Sequence, residues 1–509
     1  LGFVVVGLLL GILMGAMDNT IVATAMGTIV AHLGGLDKFV WVTSAYMVTE
    51  MASMPIFGKL SDMYGRKRFF IFGLVAFLAG SILCGTAQSI VQLSIYRAIQ
   101  GIGGGALMPI AFSIVFDVFP VEKRGKMGGL FGAVFGLSSI FGPLLGAYIT
   151  EYISWRWVFY INLPIGIVSL AFITLFYRES LVHVKQKIDW LGAMTLVPSI
   201  ISLMFALQLG GNKYAWNSGM IIGLFAAFVV LFVSFLYVET KAAEPIISFD
   251  MFKKRLFAAS NLVGLFSGAA YIVAAVYIPI FVQGVRGGSA TNSGLVLLPM
   301  MLGTVVSSQV GGFLANKTSY RNIMIGFGVI FALGIFLLGT LTPDTSRLMV
   351  TLYMIVTGFG IGASFSVLGM AGIHHFDARQ YGSANATLAF LRSLGMTLGI
   401  SIFGIIQRNV FTSKLADAFA GMRQGLHGVT LGDPHAMLSQ AARSHIPANI
   451  LEKLTGALSS SITQTFMWLL VPAVLAFVSV FLMGKERMRV YGKNRAVDDK
   501  VGSEPLTSH

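Results

Sequence analysis

Four ionisable side chains, Asp18, Glu50, Arg97 and Arg392, lie inside long apolar runs, with Asp117 and Asp189 at the ends of two such runs. A charged residue at the centre of a bilayer-spanning helix costs roughly 2.5–3.5 kcal/mol on insertion scales, so each needs a reason. Such residues either lock helices together as ion pairs or line a water-accessible cavity. In a cavity, burial disfavours the charged form of a carboxyl, which then takes up and releases protons near neutral pH. A protonated acid no longer attracts a cation, so competition of proton and cation for one carboxylate couples two fluxes without ATP. Asn19 and Thr20 stand beside Asp18 and can hydrogen-bond either form. Asp18 falls about fifteen residues into the first run, roughly 22 Å deep at the helical rise. Arg97 falls in the same outer half of the fourth run, so depth lets the two face one another. Glu50 lies slightly toward the inner side of the second run, and Arg392 reads as a helix-interface residue.

The elements that must position these groups follow from composition. Of 509 residues 56% are hydrophobic and only 11% charged, with a mean hydropathy of +0.80. A soluble chain is nearer 25% charged, so most soluble enzymes and disordered scaffolds are excluded. A single cysteine, Cys84, excludes a disulfide framework or a cysteine-rich metal site. The pattern predicts an all-α polytopic membrane protein with fourteen spans, near 3–32, 39–58, 69–88, 90–116, 126–150, 157–177, 189–210, 219–239, 256–283, 291–313, 322–341, 346–370, 382–407 and 461–484. The first run is too long for a signal peptide and carries Asp18 and Asn19 in its middle, so it counts as a span. The sequence opens on Leu1 rather than Met, and a short leader is expected before it.

The net charge of +14 does not mark a nucleic-acid binder, because the basic residues sit in short loops between spans. With the N-terminus inside, 23 of the 35 lysines and arginines fall on the inner side, which places both termini in the cytoplasm. The segment 408–460 is expected as a water-exposed outer loop with short amphipathic helices at 411–422 and 436–457. The tail after Tyr491 is expected to be disordered.

Residues 58–68 read Gly-Lys-Leu-Ser-Asp-Met-Tyr-Gly-Arg-Lys-Arg. Gly58 and Gly65 permit close helix approach and a sharp turn, Asp62 is placed to cap the third helix, and Lys67 and Arg68 set topology. This string resembles the loop signature of the major facilitator superfamily. The resemblance implies a charge cluster of Asp62, Arg66 and Asp117 that locks the cytoplasmic side when the cavity faces out. Residues 93–105, Leu-Ser-Ile-Tyr-Arg-Ala-Ile-Gln-Gly-Ile-Gly-Gly-Gly, are similar to the fourth-helix motif of the family, whose arginine, here Arg97, is associated with proton transfer. Gly132, Gly136, Gly142, Pro143 and Gly146 resemble the antiporter motif of the fifth helix. Small residues four apart let a neighbouring helix pack closely, and Pro143 loosens the segment.

Residues 17–22, 155–166 and 189–193 are similar to the fourteen-span drug:proton antiporter branch, as in multidrug exporters of Gram-positive bacteria. The resemblance implies a major facilitator fold of two six-helix bundles, 1–178 and 246–485, with two inserted helices in 179–245 and a cytoplasmic tail at 486–509. Residues 311–322 are only a worn echo of the inner-loop signature, so the acidic machinery is expected in the first half. The activity implied is proton-coupled export of lipophilic, often cationic, drugs and dyes from a bacterial cytoplasmic membrane. Glu50 stands outside the shared motifs, and the chain is expected to work as a monomer without cofactor or metal. No GxxxxGK[ST] string supports ATP drive. Rival readings are a proton-coupled uptake symporter and a non-transporting sensor. A membrane enzyme would need a catalytic constellation, and the adjacent His374 and His375 in a solvated loop do not make one.

Overall fold

The computed structural model describes residues 2–34, 40–179, 187–211, 213–286, 296–419 and 447–488. Among them fourteen long helices follow one another without a strand: α1 Gly2–Leu33, α2 Val40–Tyr64, α3 Arg66–Thr86, α4 Ile90–Val118, α5 Val121–Tyr152, α6 Trp157–Phe176, α7 Trp190–Leu209, α8 Gly219–Lys241, α9 Arg255–Arg286, α10 Leu298–Leu314, α11 Tyr320–Gly339, α12 Arg347–Ile373, α13 Tyr381–Phe419 and α14 Ala448–Val480. Twelve are long and apolar enough to cross a membrane by length and composition. The other two are α10, with 17 residues, and α2, whose apolar run carries Glu50, Lys59 and Asp62.

Helices α1–α6 pack on one another, as do α9–α14. The two groups meet through α5 on α10 and α12, and through α13 on α2 and α4. The pair α7 and α8 packs together, with α7 against α2. Its loop ends are held by Lys59, which donates to Glu244 at 2.7 Å, and by Glu239, which accepts the backbone N–H groups of Ile246 and Ile247. Small residues set the closest helix approaches. Gly303, Gly358 and Gly362 bring α10 against α12, while Gly125 of α5 and Gly312 of α10 place the two backbones in direct contact.

Two expectations for 408–460 change. The stretch expected as a separate helix at 411–422 continues α13 as far as Phe419, and α14 already begins at Ala448. The reason is burial: Phe411 and Leu415 on one helix, and Leu454 and Leu458 on the other, extend a single apolar cluster past the expected ends of the spans. Lys453 closes the pair by donating to the Ala418 carbonyl at 3.0 Å. The remainder of that loop, and the tail from 489 onward, lie outside the described residues. In α14 the helix is interrupted at Leu469, three residues before Pro472, which has no N–H to offer the preceding turn. The histidine pair is tied down: His374 meets the Tyr320 hydroxyl at 3.3 Å, and His375 meets Glu486 at 3.3 Å.

Gly358 has no room for a side chain beside the Met300 backbone. Gly358→Leu should therefore lower the unfolding temperature in detergent, at a cost of about 1–3 kcal/mol or more. Gly326, with open space around its Cα, should tolerate Ala with a gain of about 0.5–1 kcal/mol from helix propensity. Differential scanning fluorimetry of both variants checks the contrast.

Candidate functional site

Three groups of polar residues occupy the helix interfaces. The first is centred on Asp18 of α1, which is fully buried. Its carboxylate pairs with Arg97 of α4 and accepts from Gln100 Nε2 at 2.8 Å and Asn162 Nδ2 at 3.0 Å. Gln100 and Asn162 also donate to Ser81. Arg97 further donates to Gln100 at 2.6 Å, to Asn19 and to the Val42 carbonyl. Its guanidinium lies over the Tyr46 ring at 4.2 Å, and the Cys84 thiol donates to Gln100 at 3.7 Å. Placing Asp18 and Arg97 at matching depths brings them together. Of the two roles the sequence leaves open for Asp18, the geometry shows the interhelical ion pair: Arg97, Gln100 and Asn162 enclose its carboxylate, and Asp18 is not among the cavity-lining residues. One detail differs from the sequence reading: Asn19 accepts from Arg97 rather than bonding Asp18, and Thr20 donates to the Met17 carbonyl at 2.9 Å. Gln100 and Asn162 lie within the motif stretches 93–105 and 155–166, but a neutral amide in an apolar run gives no charge signal to single it out.

The second group closes one end of the molecule. Arg66, fully buried at the start of α3, pairs with Asp62 at 3.2 Å and with Asp117 at the end of α4. It also donates to the Ser113 carbonyl at 2.9 Å and to the Ala378 carbonyl in the turn before α13. Asp62 does not cap α3. Helix α2 runs on to Tyr64, so Asp62 stands in its last turn and faces α13. There it accepts from the backbone N–H of Gly382 at 2.8 Å, the N–H of Ser383 at 2.7 Å and the Ser383 hydroxyl at 2.9 Å. It thus satisfies N–H groups that the first turn of a helix leaves open. The start of α3 is served instead by Glu179, which accepts the Arg66 N–H at 2.6 Å. Sequence reasoning missed this residue because it lies 113 positions away. Gly65 has φ 115°, a left-handed conformation that favours glycine, and a Cβ there would meet Glu179 Oε2 at 2.8 Å. Gly58 faces the Gly382 carbonyl, leaving α2 and α13 in near-backbone contact. Lys67, expected only to set topology, donates to the Thr174 and Tyr177 carbonyls at the end of α6.

The third feature is a central cavity of about 380 Å³ lined from both helix groups. Along α13 it runs from Asn385 to Ile400, about 22 Å of helix rise. Asn385 donates to the Ser113 hydroxyl at 3.2 Å, which joins the cavity floor to the closed end. Among the described residues the wall holds one carboxylate, Glu50, and one guanidinium, Arg392, with aromatic and methionine side chains such as Phe112, Phe365, Tyr271 and Met301. Asn19 and Pro143 also line it. Tyr46 lies between the first group and the cavity, in contact with Arg97 on one side and with Glu50 on the other. The motif glycines of α5 serve two neighbours: Gly132 and Gly136 face α10, while Gly142 and Gly146 face Thr20 and Thr24 of α1.

The sequence profile of the Major Facilitator Superfamily matches residues 8–400. The chain belongs to the Major Facilitator Superfamily. It is similar to Multidrug resistance protein 3 of Bacillus subtilis (strain 168), 60% identical over 491 residues that cover 96% of each chain. It is also similar to Multidrug transporter protein MdtP of the same organism, 36% identical over 94% of this chain and 92% of that one. In fold it resembles the human organic anion transporter MFSD10 (TETRAN), with a TM-score of 0.60 and 16% identity over 93% of this chain and 99% of that one. As a major facilitator it is a multi-pass membrane transporter and not an enzyme.

Asp62→Asn keeps the shape of the side chain but removes the charge that meets Arg66 and three donors near the start of α13. Losing charge-assisted hydrogen bonds of this kind costs about 1.5–3 kcal/mol, enough to shift a two-state closure by more than tenfold. Spin labels at the exposed Arg68 and Arg379 should therefore report a new, longer distance population in Asp62→Asn by electron–electron resonance. In Asp18→Asn the buried Arg97 loses its counter-charge, at a cost of about 3–5 kcal/mol. A clear drop in unfolding temperature should accompany any loss of transport.

Proposed function

We propose that this major facilitator is a fourteen-span, proton-coupled antiporter that exports lipophilic, often cationic, drugs and dyes by alternating access. The observation that carries the reading is Glu50, a carboxylate in the wall of a cavity shared by both helix groups. The multidrug name of the 60% identical Bacillus subtilis relative supports the substrate class. In this reading α1–α6 and α9–α14 are the two rocking bundles, α7 and α8 are inserted between them, and both termini lie in the cytoplasm of a bacterial cell. The closed end is then cytoplasmic, and the structure represents a state sealed from the cell interior.

The cycle follows from electrostatics. With the cytoplasmic end open, a cationic amphiphile enters and its charge settles against deprotonated Glu50, its rings against the phenylalanines and methionines. Closure of the Asp62, Arg66 and Asp117 cluster against α13 turns the cavity outward. A proton from outside neutralises Glu50, the attraction is lost, and the drug leaves. Tyr46 carries changes at Glu50 to the Asp18–Arg97 pair, which braces α1 against α4 throughout. Gly132, Gly136, Gly142 and Gly146 give α5 smooth faces on which α10 and α1 shift during the exchange. The work comes from the proton gradient without a bound cofactor, and one chain suffices. A membrane potential adds about 2.3 kcal/mol per 100 mV for each net charge that moves.

Proton release from purified protein on adding a cationic dye tests the coupling. Wild-type protein should release protons, with dye affinity rising as pH rises because the deprotonated acid holds the cation. Glu50→Gln should abolish both the release and the pH dependence. Wild-type behaviour in that variant would remove Glu50 from the mechanism.

A further inference from the structure

Among the described residues Arg392 is the one cavity-lining cation, and its surroundings differ from those of the fully buried Arg66 and Arg97. Arg66 and Arg97 each meet a carboxylate. Arg392 meets none among the described residues. Its Nη2 donates to the Ser364 carbonyl at 3.2 Å, and its guanidinium lies over the Phe365 ring at 4.7 Å. A guanidinium presents five N–H donors in a fixed fork and keeps its charge, so most of its donors are left for whatever fills the cavity. The side chain is held in place. Gly268 of α9 approaches its stem so closely that a Cβ there would meet Arg392 Cγ at 3.2 Å, and Phe365 supports the flat face from behind. A charge left without a partner in a low-dielectric site is costly, and an occupant bringing an anion would relieve that cost.

Glu50 stands in the same wall system on α2, which packs against α13 where Met54 and Ser393 touch at 3.9 Å. Glu50 and Arg392 do not pair with each other. The cavity wall therefore carries two unpaired charges of opposite sign among aromatic and thioether side chains. A planar fork is matched to a carboxylate in a way that an ammonium is not. We propose that Arg392 is the anion-recognising residue of this cavity, and that its ligands include aromatic amphiphiles carrying a carboxylate, above all zwitterions whose cationic end is directed to Glu50. The proposal rests on the reading that this cavity is the substrate site, and it widens the substrate class beyond simple cations. It also changes the energetics of export. A zwitterion has no net charge, so its exchange for one proton moves one positive charge inward, whereas exchange of a monovalent cation for one proton moves none.

A matched dye pair tests this: a rhodamine with a free carboxylate and its methyl ester, with binding to the purified full chain in detergent read by fluorescence anisotropy. Wild-type protein should bind the acid at least as tightly as the ester. Arg392→Gln should weaken the acid tenfold or more and leave the ester within twofold, so that ester binding also reports an intact fold. Arg392→Lys, which keeps the charge without the fork, should lose only a few-fold for the acid. Equal loss of both dyes in both variants, or no loss of the acid in Arg392→Gln, would overturn the proposal while leaving the cavity as the binding site of the wild type. Failure of the wild type to bind either dye would overturn the cavity reading as well.

Discussion

The dominating constraint is the cost of keeping charge away from water inside an apolar bundle. Asp18 and Arg66 answer it with several partners each. Asp18 receives Arg97, Gln100 and Asn162, drawn from α4 and α6. Arg66 gathers Asp62 and Asp117 and the carbonyls of Ser113 and Ala378, drawn from α2, α4 and the turn before α13. Because the partners in each set come from more than one helix, satisfying the charge also fixes how those helices sit. Breaking such a set by removing one member leaves the rest exposed to the full penalty, so these clusters behave as units. Glu50 and Arg392 fall outside this pattern, and both line the cavity.

The closed end joins the two helix groups by a different device. Helices α2 and α13 approach almost backbone to backbone at Gly58 and Gly382, so the Asp62 carboxylate can span the gap without a long side chain. It faces the positive end of the α13 dipole and the N–H groups of its first turn. Arg66 then balances Asp62 from behind and reaches the chain before α13 itself. Attraction and shape reinforce one another here: a bulkier residue at Gly58 or Gly382 would move the carboxylate out of hydrogen-bonding distance. The contact of Gly125 with Gly312 brings the backbones of α5 and α10 similarly close.

Much of the architecture was legible because hydropathy over twenty residues is a strong signal, and helix beginnings and ends fell within a few residues in most cases. The ends of α13 and α14 were not, since their extensions are amphipathic and their burial depends on each other rather than on local composition. The charged residues were equally easy to find, since an Asp or Arg in a run of Leu, Ile and Phe stands out. Their partners were harder to see. Gln100 and Asn162 are neutral, and Glu179 is distant in the chain. The orientation of Asp62 depended on how far α2 continued before the turn at Gly65, six residues past the expected end at 58. A sequence also lists a lone arginine and a paired one identically, and only the packing of α9, α12 and α13 around Arg392 separates them.

Cys84 has a practical consequence. It is the chain's sole thiol, it is buried, and it sits on α3 beside Gln100 in the shell around Asp18. A maleimide can react with it only when α3 and α4 part far enough to admit the reagent. The native chain therefore carries its own chemical clock for breathing of this innermost layer, and labels placed elsewhere can be attached against a nearly silent background.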